Sequence, residues 1–312
     1  MKCSSAVTTI VCAAFLCNVA PAGQLKPANV SPDANWGLHV DVSGLLSSDL
    51  GKHMIEQARI SGKLDEHLAE ITNTIGCNPL TDLDSVTLWG RSYQSDDAVI
   101  VAKGRFDSTK LLSLIDDHKL GTFEFKGRLV HHWVDESKNC TESYGVFWQD
   151  DVIVISNSRG ALEAALTEFD ANPNSITPPA FPGSFLVLVA KDIQSIDDAQ
   201  AASLKNISSI FLRVGETRGN LFIKAIVSAT SDTDGEEFRQ MFTGMLALVK
   251  MSMRQSSEPQ PGAEDILAVL DAIKVSGEGA NIVAELELPV NDVLELADRL
   301  KEAVQLDARL NQ

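Results

Sequence analysis

The order in which the hydrophobic period changes along the chain constrains the fold more than any single motif. Period-two stretches and period-3.6 stretches follow one another in the same order twice, as strand, helix, strand pair, helix, strand pair and helix. In the first round LHVDVSG at 38–44 alternates as a strand does. Residues 49–76 keep helical spacing through Leu50, Met54, Ile55, Ala58, Leu64, Leu68 and Ile71. The segments 85–90 and 98–104 form a strand pair, and Asp107 or Ser108 is placed to cap a helix around Leu111–Ile115. FEFKG, LVHHWV, YGVFW and VIVIS then read as a meander, and Ser158 precedes a helix over Ala161–Phe169.

The stretch ANPNSITPPAFPG at 171–183 holds four prolines and no periodicity, and it reads as a linker. Beyond it FLVLVAKDI opens the second round, 198–205 is a short helical piece, and SIFLRVGE with NLFIKAIVSA forms a strand pair. A helix runs from SDTDGEEF to about Arg254, and RQSSEPQPG separates it from a helix at 264–272. IKVSGEG, NIVAELELP and a helix over 290–304 close the chain. A strand pair followed by a covering helix is the natural unit of an antiparallel sheet with helices on one face. The expected fold is therefore α+β in two similar halves, 37–170 and 184–312, each an antiparallel sheet with helices packed on one face.

The N-terminus predicts export. Lys2 supplies a positive start, Ala6 to Val19 are mostly apolar, and Ala20-Pro21-Ala22 offers small residues for a signal peptidase. The apolar run is too short to span a bilayer. The expected cut lies before Gly23, which makes 1–22 a signal peptide and 23–36 a loose leader. Cys17 follows a bulky Leu16, which does not suit a lipid-attachment site. No later stretch offers 18 uncharged apolar residues, so no membrane span is expected. Removing the signal takes Cys3, Cys12 and Cys17 with it. Cys77 and Cys140 remain, and in an oxidising compartment they are expected to pair as a disulfide.

The formal net charge of -17 argues against nucleic acid, whose binding rests on Lys and Arg displacing counterions. The segments NPLTDLDSVTLWG, AVIVAKGRFD, LVHHW and SRGALEAAL resemble those of a group of uncharacterised exported bacterial proteins with a duplicated α+β layout. The resemblance would cover most of 36–305, and it implies an exported protein but no activity.

No nucleophile elbow, phosphate loop, dinucleotide fingerprint or HExxH motif occurs. The polar residues left without a scaffold role are His39 and Asp41, on one face of one strand, and the pair His131-His132. Adjacent residues on a strand point to opposite faces, so the pair does not bind one metal together. SDTDGEE has a glycine and two aspartates at calcium-loop spacing, but positions one and twelve would be Thr230 and Met241, so it reads as helix capping. Phe238, Met241, Phe242, Met245, Leu248 and Val249 keep the spacing of a buried helix face, although methionine-rich helices also form adaptable binding surfaces. The expected function is that of a non-catalytic exported binding or envelope-associated protein, periplasmic or secreted, without a cofactor, whose partner is a protein or small ligand. The alternatives are an exported hydrolase with a scattered site near His39 and His131, or a structural subunit of an envelope assembly.

Overall fold

A computed structural model describes residues 33–60, 62–93, 97–115, 118–135, 141–171, 183–196, 204–255 and 262–299. The signal peptide, most of the leader, nearly all of 171–183, Cys140 and most of the expected helical piece at 198–205 lie outside these residues. The chain divides into two compact units, Met1–Val189 and Ala190–Gln312.

In the first unit β1 (Trp36–Asp41) stops earlier than the alternation predicts, because Asp41 turns the chain into a helix. Its carboxylate accepts from the Gly44 backbone N–H at 2.7 Å and the Ser43 hydroxyl at 3.0 Å, capping α1 (Val42–Ser47). The single helical stretch expected over 49–76 is two helices, α2 (Asp49–Ile60) and α3 (Leu64–Ile75). Gly62 between them has φ 78°, a left-handed conformation that breaks the helix and suits glycine. A short α4 (Pro79–Asp82), capped by Asn78, leads into β2 (Leu83–Gly90). Then follow β3 (Val99–Gly104), α5 (Ser108–Ile115), β4 (Lys119–Phe125), β5 (Arg128–Asp135), β6 (Thr141–Gln149), β7 (Val152–Ser156), α6 (Arg159–Ala171) and β8 (Ser184–Lys191).

The strand order in this unit is β8-β1-β2-β3-β7-β6-β5-β4, and neighbours from β1 to β4 pair antiparallel. One part of its core is built by α6, whose Leu162, Ala165 and Leu166 have helical spacing and no exposed surface. They belong to one buried cluster with Trp89, Val99, Val101, Val130, Val146 and Val154 of the sheet. Burying each aliphatic side chain stabilises by roughly 1.5–3 kcal/mol. Val42, Leu45 and Leu46 of α1, Ile55 of α2 and Leu64, Leu68 and Ile75 of α3 are buried as well. The α+β class is as expected.

The second unit holds β9 (Ile207–Thr217), β10 (Asn220–Ala229), α7 (Asp232–Gln255), α8 (Ala263–Ala272), β11 (Lys274–Ser276), β12 (Asn281–Pro289) and a last helix over 290–299. Its strand order is β11-β12-β10-β9. The β9–β10 hairpin turns through Arg218 and Gly219, at φ 52° and 76°, the conformation that matches the twist of the flanking strands. The order β9-β10-β12-β11 matches β2-β3-β7-β6 of the first unit, which adds the hairpin β4–β5. The units are nonetheless unequal. β8, expected to open the second half, lies beside β1, and all but its last two residues fall in the first unit.

Helix α7 departs from expectation. Its one buried residue is Gly235, where a Cβ would stand 2.4 Å from the Gly279 carbonyl oxygen. Arg239 donates to the carbonyls of Gly279 and Asn281 at 2.8 and 2.6 Å, and Lys250 and Arg254 pair with Asp271 of α8. These contacts turn the line Gly235–Arg239–Leu246–Met253 inward. The apolar stripe expected to be core lies to one side of that line, and Met241, Phe242, Met245, Leu248 and Val249 are 42–61% exposed. Helical period reports that a stripe exists but not what it faces.

Candidate functional site

The structure separates the residues singled out from the sequence. His39 is buried on β1, with Nδ1 hydrogen-bonded to the Thr87 hydroxyl at 2.9 Å. Asp41, on the same strand face, is the buried cap of α1. β1 and β5 lie five strand spacings apart, roughly 24 Å at about 4.8 Å each. His39 therefore shares no metal or proton with either histidine of β5. Among the described residues no group of three His, Cys, Asp or Glu side chains is placed to hold a metal.

The two adjacent histidines face opposite ways, as strand geometry requires. His131 is buried and stands opposite Gly145 and Thr122. His132 stands opposite Tyr144 and stacks on its ring, with centroids 4.4 Å apart and planes 8° from parallel. Both reach the same oxygen of Glu142. The Tyr144 hydroxyl donates to Glu142 Oε2 at 2.6 Å, and His132 Nε2 lies 3.3 Å from it. Phe123 meets the Tyr144 ring edge-on, and the Arg159 guanidinium covers Phe123 at 4.1 Å. This constellation of imidazole, carboxylate and phenol is the closest grouping of acid–base side chains around any candidate histidine. Sequence reasoning missed Glu142 and Tyr144, which enter only through the β5–β6 register.

Its electrostatics run against acid–base catalysis. The Tyr144 hydrogen bond holds the Glu142 carboxyl below the usual carboxylate range, and His132 adds to the effect. The same bond, with partial burial, raises the Tyr144 phenol above its usual value. A useful general acid or base has its pKa moved toward neutrality. Here the carboxylate and the phenol move away from it, which leaves a hydrogen-bonded clasp joining β5 to β6.

Of the expected Cys77–Cys140 pair, Cys140 lies outside the described residues. Cys77 is a buried free thiol between α3 and α4, and burial, with Asp82 nearby, pushes it up to about 12 against a weaker opposing pull from Arg105. A thiol so held is protonated and inert at neutral pH. The loop read as helix capping does cap α7: the Ser231 hydroxyl accepts from the Asp234 N–H at 3.1 Å, and Thr230 donates to the Asp234 carboxylate at 3.1 Å.

The solvent face of α7 is the other feature that stands out. Phe238, Met241, Met245 and Leu248 fall at i, i+3, i+7 and i+10, flanked by Phe242 and Val249. They form a continuous apolar stripe of the kind that soluble surfaces seldom leave uncovered without a use.

No protein-family model matches the sequence, and no curated protein does. Similar solved structures include crystal form I of TP0453, a Treponema protein, at 12% identity and a TM-score of 0.43 over 88% of this chain and 97% of that one. Crystal form III of the same protein matches at 11% identity and 0.44, over 88% and 98%. No helix among the described residues is long and apolar enough to cross a membrane.

Proposed function

We propose that the chain is a non-catalytic exported binding protein, envelope-associated, which meets its partner through the solvent face of α7. The observation that carries this reading is the exposed stripe Met241–Met245–Leu248 with Phe242 and Val249. Methionine suits such a face because its unbranched, polarisable side chain adapts to a partner's shape. The polar residues give the reading indirect support, since His39, Asp41 and His132 are each held in scaffold contacts. Export rests on the signal at 1–22 with cleavage before Gly23, and on the resemblance to exported bacterial proteins.

The test is native mass spectrometry of the protein purified from its own compartment, beside a Met241→Glu/Leu248→Glu variant. The wild-type protein is expected to carry a partner that the variant loses with its circular dichroism unchanged. Equal retention by both would refute the assignment of the face. Hydrolytic turnover abolished by His132→Ala would refute the non-catalytic reading.

A further inference from the structure

We infer that the partner seated on α7 is a second copy of this chain, its α7 laid antiparallel across the first. The inference rests on α7 being the contact face. The spacing of Phe238, Met241, Met245 and Leu248 alternates three and four residues, the seam with which one helix meets another. A second copy supplies an identical seam, and a two-fold axis through Met245 lets one patch cover itself.

The area suits a weak, reversible pair. The exposed fractions of Met241, Phe242, Met245, Leu248 and Val249 amount to roughly 500 Å² per copy, so a pair that covers them fully buries about 1,000 Å², the size of a transient interface. Gly244 has nothing within 4 Å of the position its Cβ would take, so the outer flank of the seam is clear for close approach.

The helix dipoles select the direction. The antiparallel pair opposes the two helix dipoles, which a parallel pair would align. The net charge of -17 on each copy repels at long range, so added salt tightens this association where it would loosen one held by opposite charges.

Sedimentation equilibrium of the full mature chain at 0.05 M and 0.5 M salt tests the pairing. A reversible dimer is expected, tighter at the higher salt, with Leu248→Glu weakening it by about tenfold or more. Oxidation of Met245→Cys should give a covalent dimer beyond any wild-type background, because the dyad brings that position to itself. Phe238→Cys should not, since an antiparallel pair separates its two copies. Cross-linking through Phe238→Cys as efficient as through Met245→Cys would overturn the orientation. A monomer at every concentration overturns the second-copy assignment, and so does a monomer that partitions onto phosphatidylcholine–phosphatidylglycerol vesicles through α7. If that monomer still loses a native partner on Leu248→Glu, α7 remains the contact face and only the identity of its occupant falls. If it loses nothing, both readings fall.

Discussion

Two glycines on α7 should respond to the same substitution with opposite signs. Replacing glycine by alanine inside a helix gains up to about 1 kcal/mol from the narrower unfolded ensemble and better propensity. At Gly244 the new methyl meets nothing within 4 Å, so Gly244→Ala should stabilise by about 0.5–1 kcal/mol. At Gly235 the methyl would stand 2.4 Å from the Gly279 carbonyl oxygen and 2.8 Å from Ala280 Cα. Ordinary contact needs about 1 Å more, and both obstacles are backbone, so the first turn of α7 must lift. Lifting it stretches the two Arg239 hydrogen bonds to Gly279 and Asn281. Overpacking of this kind costs about 1–3 kcal/mol, and the weakened bonds add to it, so Gly235→Ala should destabilise by about 1–3 kcal/mol net. The assay is urea unfolding followed by circular dichroism at 222 nm, to which α7 contributes as the longest described helix. The midpoint should fall for Gly235→Ala and rise for Gly244→Ala. The four tryptophans all lie in the first unit and serve to follow that unit. A Gly235→Ala protein as stable as the wild type would show that α7 does not press on the β11–β12 turn.

Four further substitutions, at three positions, probe the first unit. Asp41→Ala should cost about 2 kcal/mol in tryptophan-monitored unfolding, since it removes the cap of α1 and the hydrogen bond from the Ser43 hydroxyl; Asp41→Asn should recover most of it. The folded Cys77 thiol titrates at about 12 against roughly 9 when unfolded, so its contribution is whole below pH 9 and declines from there to pH 12. At about 1.4 kcal/mol per pH unit this amounts to roughly 4 kcal/mol by pH 12, and Cys77→Ala should flatten that alkaline slope relative to wild type. Glu142 has a depressed folded pKa, so its contribution is present above the unfolded carboxyl value and declines as pH falls through the folded one. Tyr144→Phe should raise the Glu142 carboxyl toward the ordinary range in an NMR titration; no movement would remove the phenol as the cause.

Much of the element order was legible because capping is local. Asp107 accepts from the Lys110 N–H and Ser158 from the Ala161 N–H, each where the residue pattern places a helix start. Asp41 was misjudged for the converse reason: two residues from His39 on an alternating run it reads as a strand partner, while its carboxylate turns back to Gly44. Strand order was less accessible, since the return of β7 between β3 and β6 is decided by packing under α6 and by no signal within the strand. The clasp at His132 was hidden for the same reason. It depends on which residue of β6 stands opposite β5, and the intervening loop carries no mark of that register. The faces of α7 could not be told apart, because a buried stripe and a partner-seeking stripe share one period.

The position of β8 bears on how the chain can be cut. Residues 172–183 join α6 to a strand that lies beside β1, so a break there severs a connection inside the first unit and does not divide the molecule in two. A fragment ending at 171 leaves β1 as a bare edge with its hydrogen-bonding groups on offer. A fragment starting at 184 carries the apolar run FLVLVA without β1 beside it. Each is a template for unintended strand addition, and both should be prone to precipitate when made alone. Mixed from denaturant, the two pieces have a ready route to reassociate, because the strand that one lacks beside β1 is carried by the other.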